Sequence, residues 1–237
     1  GPAWSRGPVM PTRKRGVLLA AGMLTLVLVA ATFSRNGTWR DEIVLYEDAY
    51  TKSPDKARVY NNLGKAYNLA ERYADTIRIM TVAIGLDPAD GVAYTTRGVA
   101  FHRTGQADRA MQDYNVAIVH EPGNAKAYVN RGILFGQEGR LDRAIEDFSV
   151  AIALNPYYDL AYENRAAAFH RQGAWDRAIE DYSAALALRS DGPQLYVARG
   201  SLFIKTGRIA RARDDFQRAC DLGNAAGCDA LQGSARE

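Results

Sequence analysis

The apolar and polar positions of this chain recur on a fixed period. A shift of 34 residues aligns Tyr60, Tyr94, Tyr128, Tyr162 and Tyr196, then Ala83, Ala117, Ala151, Ala185 and Ala219, then Gly64, Gly98, Gly132, Ala166 and Gly200. A period of this size marks stacked structural repeats. Within one period Tyr94, Arg97, Gly98 and Phe101 stand at i, i+3, i+4 and i+7, one face of a first helix, A. Ala110, Tyr114 and Ala117 follow Gly105 at i, i+4 and i+7 and define a second helix, B. Small residues in the Gly98 and Ala110 columns let the two backbones approach, and the large Tyr94, Phe101 and Tyr114 columns fill the space between neighbouring hairpins. Pro88, Pro122 and Pro156 end helix B, because proline lacks the N–H and clashes with a continued helix. The expectation is an all-α chain with helix-turn-helix repeats at 57–90, 91–124, 125–158, 159–192 and 193–226 and a short cap at 227–237.

From about Ala57 to Asn224 the order of aromatic, Gly, aromatic, Ala, aromatic, Ala and Pro resembles the tetratricopeptide repeat family. The resemblance implies a right-handed α-solenoid of five 34-residue repeats and a role in protein–protein interaction. It is specific for fold and nearly silent on which function is served. Departures from the pattern are Thr76 and Met80 in the first repeat, Ala166 in the fourth, and Ser190 and Asn224 where proline would stand.

Upstream, Gly16 to Phe33 is an uncharged run of eighteen residues, at the short end of what a transmembrane helix needs. Arg13, Lys14 and Arg15 precede it, so the positive-inside tendency places residues 1–15 in the cytoplasm and the repeats in the periplasm or exterior, on a single-pass anchor in a bacterial inner membrane. A cleaved signal peptide is the rival, given the small-residue site Val29-Ala30-Ala31. Residues 34–56 form a junction in which Asp41 to Lys52 reads as a lone helix B, with Tyr46, Ala49 and Pro54 in its columns and the membrane segment in place of its helix A. This junction also resembles that of bacterial membrane proteins related to O-mannosyltransferases, where the last span leads into tetratricopeptide repeats. That likeness implies an alternative, a non-catalytic tail of a polytopic membrane glycosyltransferase. The chain opens Gly-Pro, and both a start at Met10 and a longer upstream polypeptide stay open.

Composition adds little to the fold and excludes some functions. With 47% apolar and 24% charged residues the chain is of ordinary globular composition. The net charge is +3, but beyond Phe33 there are 26 basic against 27 acidic residues, −1. That gives no basic footprint for nucleic acid. His102 and His170 share one column and His120 lies near a helix end. No pair has metal-ligand spacing, so no metal or other cofactor is expected. No phosphate loop, nucleophile elbow or kinase signature occurs, so neither catalysis nor a small-molecule substrate is expected. Trp39 and Trp175 share a column after the hairpin turn and read as core residues.

Three column sets carry the site expectations. Arg97, Arg131, Arg165 and Arg199 occupy a helix-A column, and Asp113, Asp147, Asp181 and Asp215 a helix-B column. The first repeat has Leu63 and Ile79 there, so the two positions switch together. Pairing across repeats would leave Arg97 facing Ile79, so each Arg is expected to bond the Asp of its own hairpin. Cys220 and Cys228, the only cysteines, lie in ACDLGNAAGC, which resembles Sel1-like repeats of secreted bacterial proteins. The resemblance implies a disulfide across the last turn, against two buried thiols. An envelope redox factor would need this pair to be an active one.

The third set faces away from helix B and lines the concave side of a curved stack. Asn62, Thr96, Asn130 and Asn164 stand in one column, closed by Ala198. A ladder of carboxamides can bond successive peptide units of an extended chain, as the resemblance to the repeats of O-linked N-acetylglucosamine transferases implies. Around it Arg58, Asn61, Lys65 and Lys126, with His102, Arg103, His170 and Arg171, make the groove polar and mildly basic. The function expected is a scaffold or assembly factor holding an acidic or C-terminal peptide segment of a partner protein. The rival has the partner on the convex side or on Tyr157 and Tyr158.

Overall fold

The computed structural model describes residues 42–233. Among them lie twelve α-helices and no strand. They are α1 Glu42–Lys52, α2 Ala57–Leu69, α3 Tyr73–Leu86, α4 Gly91–Arg103, α5 Ala107–His120 and α6 Ala125–Gln137. Then come α7 Leu141–Leu154, α8 Asp159–Arg171, α9 Trp175–Leu188, α10 Pro193–Lys205, α11 Ile209–Asp221 and α12 Ala225–Gly233. The A helices α2, α4, α6, α8 and α10 start 34 residues apart, and each packs on the B helix that follows it.

Local chemistry sets these boundaries. After α4 the chain turns at Gly105, whose φ of 78° suits a residue without Cβ. There Gln106 N–H donates to Phe101 O at 2.8 Å and Gly105 N–H to His102 O at 3.0 Å, the two bonds of a Schellman cap. Gly139, Gly173 and Gly207 repeat the turn, but the first hairpin puts Glu71 there at φ 58°, a left-handed conformation that costs a side-chain-bearing residue about 1 kcal/mol. Each of α3, α5 and α7 stops two residues before its proline. The intervening Asp87, Glu121 and Asn155 have φ between −129° and −141°, as the residue before proline prefers.

In three hairpins a glycine receives an aromatic ring, and in the first Gly64 receives the Met80 side chain instead. A Cβ on Gly132 would lie 2.7 Å from Phe148 Cε1, and one on Gly98 would lie 2.6 Å from Tyr114 Cε1. The column therefore stays small. Ala110, Ala144, Ala178 and Ala212 are fully buried beneath the same contact. The core is a string of local clusters along the stack rather than one centre, which makes stability a sum over neighbouring hairpins. Successive A helices also touch, α2 with α4, α4 with α6 and α6 with α8, whereas successive B helices make no comparable contact. The A helices thus form the inner side of the curve.

Among the described residues one side chain departs from the sequence expectations. The apolar run 16–33 and Trp39 lie outside the described residues, and no described helix is long and apolar enough to cross a membrane. Helix α12 begins at Ala225, and Asn224 Oδ1 accepts from Gly227 N–H at 3.0 Å at its start. Trp175 is not core: it is 38% exposed at the start of α9, with the Lys205 ammonium 5.5 Å above its ring.

Candidate peptide groove

The groove wall is held by the Arg and Asp columns. Arg131 Nε and Nη2 donate to the two Asp147 oxygens at 2.9 and 2.8 Å, and Arg97, Arg165 and Arg199 bind Asp113, Asp181 and Asp215 in the same two-pronged way. The four aspartates are buried. The Arg97, Arg131 and Arg165 guanidinium groups are held above their ordinary pKa, first by this bond, with burial acting the other way. Sequence reasoning missed the third prong. Nη1 reaches back to the preceding B helix, from Arg97 to Thr81, Arg131 to Asn115, Arg165 to Ser149 and Arg199 to Ser183, at 2.9 to 3.2 Å. Each Arg therefore ties its own hairpin and the previous one, and the column of small hydroxyl and amide acceptors was the available signal.

On the inner side a cavity of about 500 Å³ opens across three A helices. Lys65, Asn68 and Leu69 line it from α2, and Val92, Thr95, Thr96 and Val99 from α4. Lys126 and Asn130 on α6, with Asn124 at its N-cap, complete the wall. Of the expected groove residues the cavity gathers Lys65, Thr96, Lys126 and Asn130. Neither Lys65 nor Lys126 has an acidic partner among the described residues. Asn68, Leu69, Val92, Thr95, Val99 and Asn124 were not foreseen; each stands on the helix-A face of its repeat or at that helix's N-cap.

Several of the expected groove residues are committed to the fold. Asn130 Nδ2 donates to Lys126 O at 2.8 Å and Asn164 Nδ2 to Leu160 O at 2.7 Å, while Thr96 Oγ1 donates to Val92 O at 2.8 Å. Three rungs of the ladder thus turn a donor back on their own helix. Asn61 bonds Asp90 across to the next hairpin. His102 meets Gln137 at 3.0 Å, and Arg171 donates to Gly136 O, both bridging successive A helices. Burial, then Lys205, pushes His170 below its ordinary pKa, so it adds no charge at neutral pH. Asn62 and His170 are half-buried, Arg58 and Arg103 exposed, and none of the four lines the cavity. At the far turn, Tyr157 is 81% exposed while Tyr158 is half-buried.

The tetratricopeptide repeat profile matches residues 95–159, 129–193 and 164–227, together more than half of the chain. The chain belongs to the tetratricopeptide repeat family. Among solved structures this tetratricopeptide-repeat fold is similar to MamA, at 22% identity and TM-score 0.60 over 70% of this chain and 91% of MamA. It is also similar to pilF of Pseudomonas aeruginosa, at 19% identity and TM-score 0.67 over 76% and 87% of the two chains. YrrB, described as a TPR protein with an unusual peptide-binding site, matches at 15% identity and TM-score 0.61 over 79% and 97%. At such identities the likeness shows the fold alone. No curated protein sequence matches the chain significantly.

Proposed function

We propose that this tetratricopeptide-repeat chain is a membrane-tethered scaffold that holds an acidic, extended segment of a partner protein along its first three A helices. The observation that carries this reading is the cavity across α2, α4 and α6, bordered by two lysines without acidic partners. A solenoid offers such a concave surface as its binding face. An extended acidic segment meets the lysines while its side chains reach Val92 and Val99. The affinity is modest, about micromolar, because ordering a flexible segment offsets much of the contact energy.

The tether in this reading is the apolar run 16–33, with the hairpins on the side of the membrane away from Arg13, Lys14 and Arg15. In that compartment Cys220 and Cys228 are expected to be oxidised.

The reading is tested by reversing the two lysine charges. The combined Lys65→Glu and Lys126→Glu chain is expected to retain the partner at least tenfold more weakly, about 1.4 kcal/mol, with an unchanged helical spectrum because both side chains are exposed. Equal retention by the altered chain contradicts the groove reading.

A further inference from the structure

The Asn130 and Asn164 amides and the Thr96 hydroxyl are engaged with their own helices. Those bonds spend donors; the buried acceptor without a partner lies elsewhere in the cavity. Asn68 lines the cavity from the last turn of α2, and its Oδ1 is buried without a hydrogen-bond partner. A buried carbonyl oxygen without a donor is costly, and native structures satisfy nearly all such groups. Asn68 is thus the wall group that most needs a donor from whatever enters.

The rest of the wall narrows the donor's chemistry. Thr95 Oγ1 already gives its proton to Gly91 O at 2.8 Å and accepts from Asn124 Nδ2 at 3.2 Å, so it is satisfied within the protein. Leu69, Val92 and Val99 supply an apolar surface beside Asn68, and Leu69 is 80% exposed at the rim. Lys65 and Lys126 supply positive charge on either side of α4. An occupant that suits all three features has an N–H donor, an aliphatic group and an anionic group within one or two residues of each other.

Resting on the groove reading above, we infer that Asn68 is the specificity-determining residue of this cavity. It receives a backbone N–H of a peptide that carries an aliphatic side chain next to an acidic one. Recognition then centres on one fixed carboxamide, flanked by an apolar and a cationic subsite, rather than on a ladder running the length of the stack. The segment held is short, and its aliphatic-acidic pair is read directly.

The test uses the full chain and a blocked fluorescent hexapeptide of Gly and Ser with a central Leu-Glu pair. Two further peptides carry a methyl group on the Leu or the Glu nitrogen. Asn68→Leu is expected to weaken the parent peptide about five- to tenfold, the worth of one hydrogen bond. One of the methylated peptides is expected to lose the same factor with the unaltered chain and nothing further with Asn68→Leu. Such non-additivity identifies the two groups as partners. Asn68→Ala serves as a second replacement should the leucine disturb α2. Unchanged binding by both Asn68 variants, or losses that simply add, overturns the assignment. If Lys65→Gln with Lys126→Gln weakens the peptide while the Asn68 variants do not, the groove reading stands and the Asn68 inference falls. If no change at these three residues matters, or the unaltered chain does not bind the peptide, both fall together.

Discussion

Asp147→Ala is expected to destabilise the stack by about 3 to 5 kcal/mol, the range for breaking a buried ion pair by removing one partner. The Asp147 side chain is 5% exposed and the Arg131 side chain 21% exposed. Removing the carboxylate strands a guanidinium that two short bonds had satisfied. An exposed pair would be worth only about 0 to 1 kcal/mol, so the size of the loss separates the two cases. Urea unfolding followed by far-UV circular dichroism measures it, and a loss below about 1 kcal/mol would contradict the structural role. The chain contains its own control, because the first hairpin places Leu63 and Ile79, both buried, where the others have Arg and Asp. Arg131→Leu with Asp147→Ile is therefore expected to recover much of the loss, since well-packed apolar residues often replace a buried pair without penalty. Recovery stays incomplete because the link from Arg131 to Asn115 at 2.9 Å is also lost.

Reduction of the Cys220–Cys228 pair is expected to cost the last hairpin roughly 2 to 3 kcal/mol, the chain-entropy value for so short a loop. The two Cα atoms are 4.6 Å apart, within disulfide range, and the sulfurs are in bonding contact. Helix α12 has nine residues and buries only Gly227. A helix that short is marginal by itself, so a crosslink would add to the packing of Ala230 and Leu231 against the core of the last hairpins. Unreduced protein from its native source is expected to resist maleimide at both cysteines. Reduced protein is expected to exchange the α12 amides faster. Maleimide labelling of both cysteines without reduction would refute the bond and weaken the extracytoplasmic placement.

The hairpins were legible because their determinants are periodic. The Gly98, Ala110 and Tyr114 columns describe a close backbone approach filled by a ring, and that contact recurs in the fold. What the columns could not carry is side-chain commitment. Asn130 looks like a free carboxamide in the sequence, but a rotamer choice joins its amide to Lys126 O one turn back. His102 and Arg171 look like ligand-facing polar groups, yet each finds a partner on the next or previous A helix. Trp175 lies in a mostly apolar column, but it stands at the start of α9 beside the hairpin turn, where the residue stays exposed. Asn68 escaped because its place in the cavity depends on how successive hairpins are set against each other, a distance that no single repeat encodes, whereas the third Arg prong had a signal in the Thr81, Asn115, Ser149 and Ser183 column.

The central claim is that the partner lies against the inner face of the A helices at α2, α4 and α6. The most direct measurement places a photo-crosslinking amino acid at Lys126, which borders the cavity, and separately at Gln112, exposed on the B helix α5. Both chains are irradiated in native membranes with the partner present. The account predicts a partner adduct from residue 126 and none from residue 112. An adduct from residue 112 with none from residue 126 would place the partner on the convex side and contradict it.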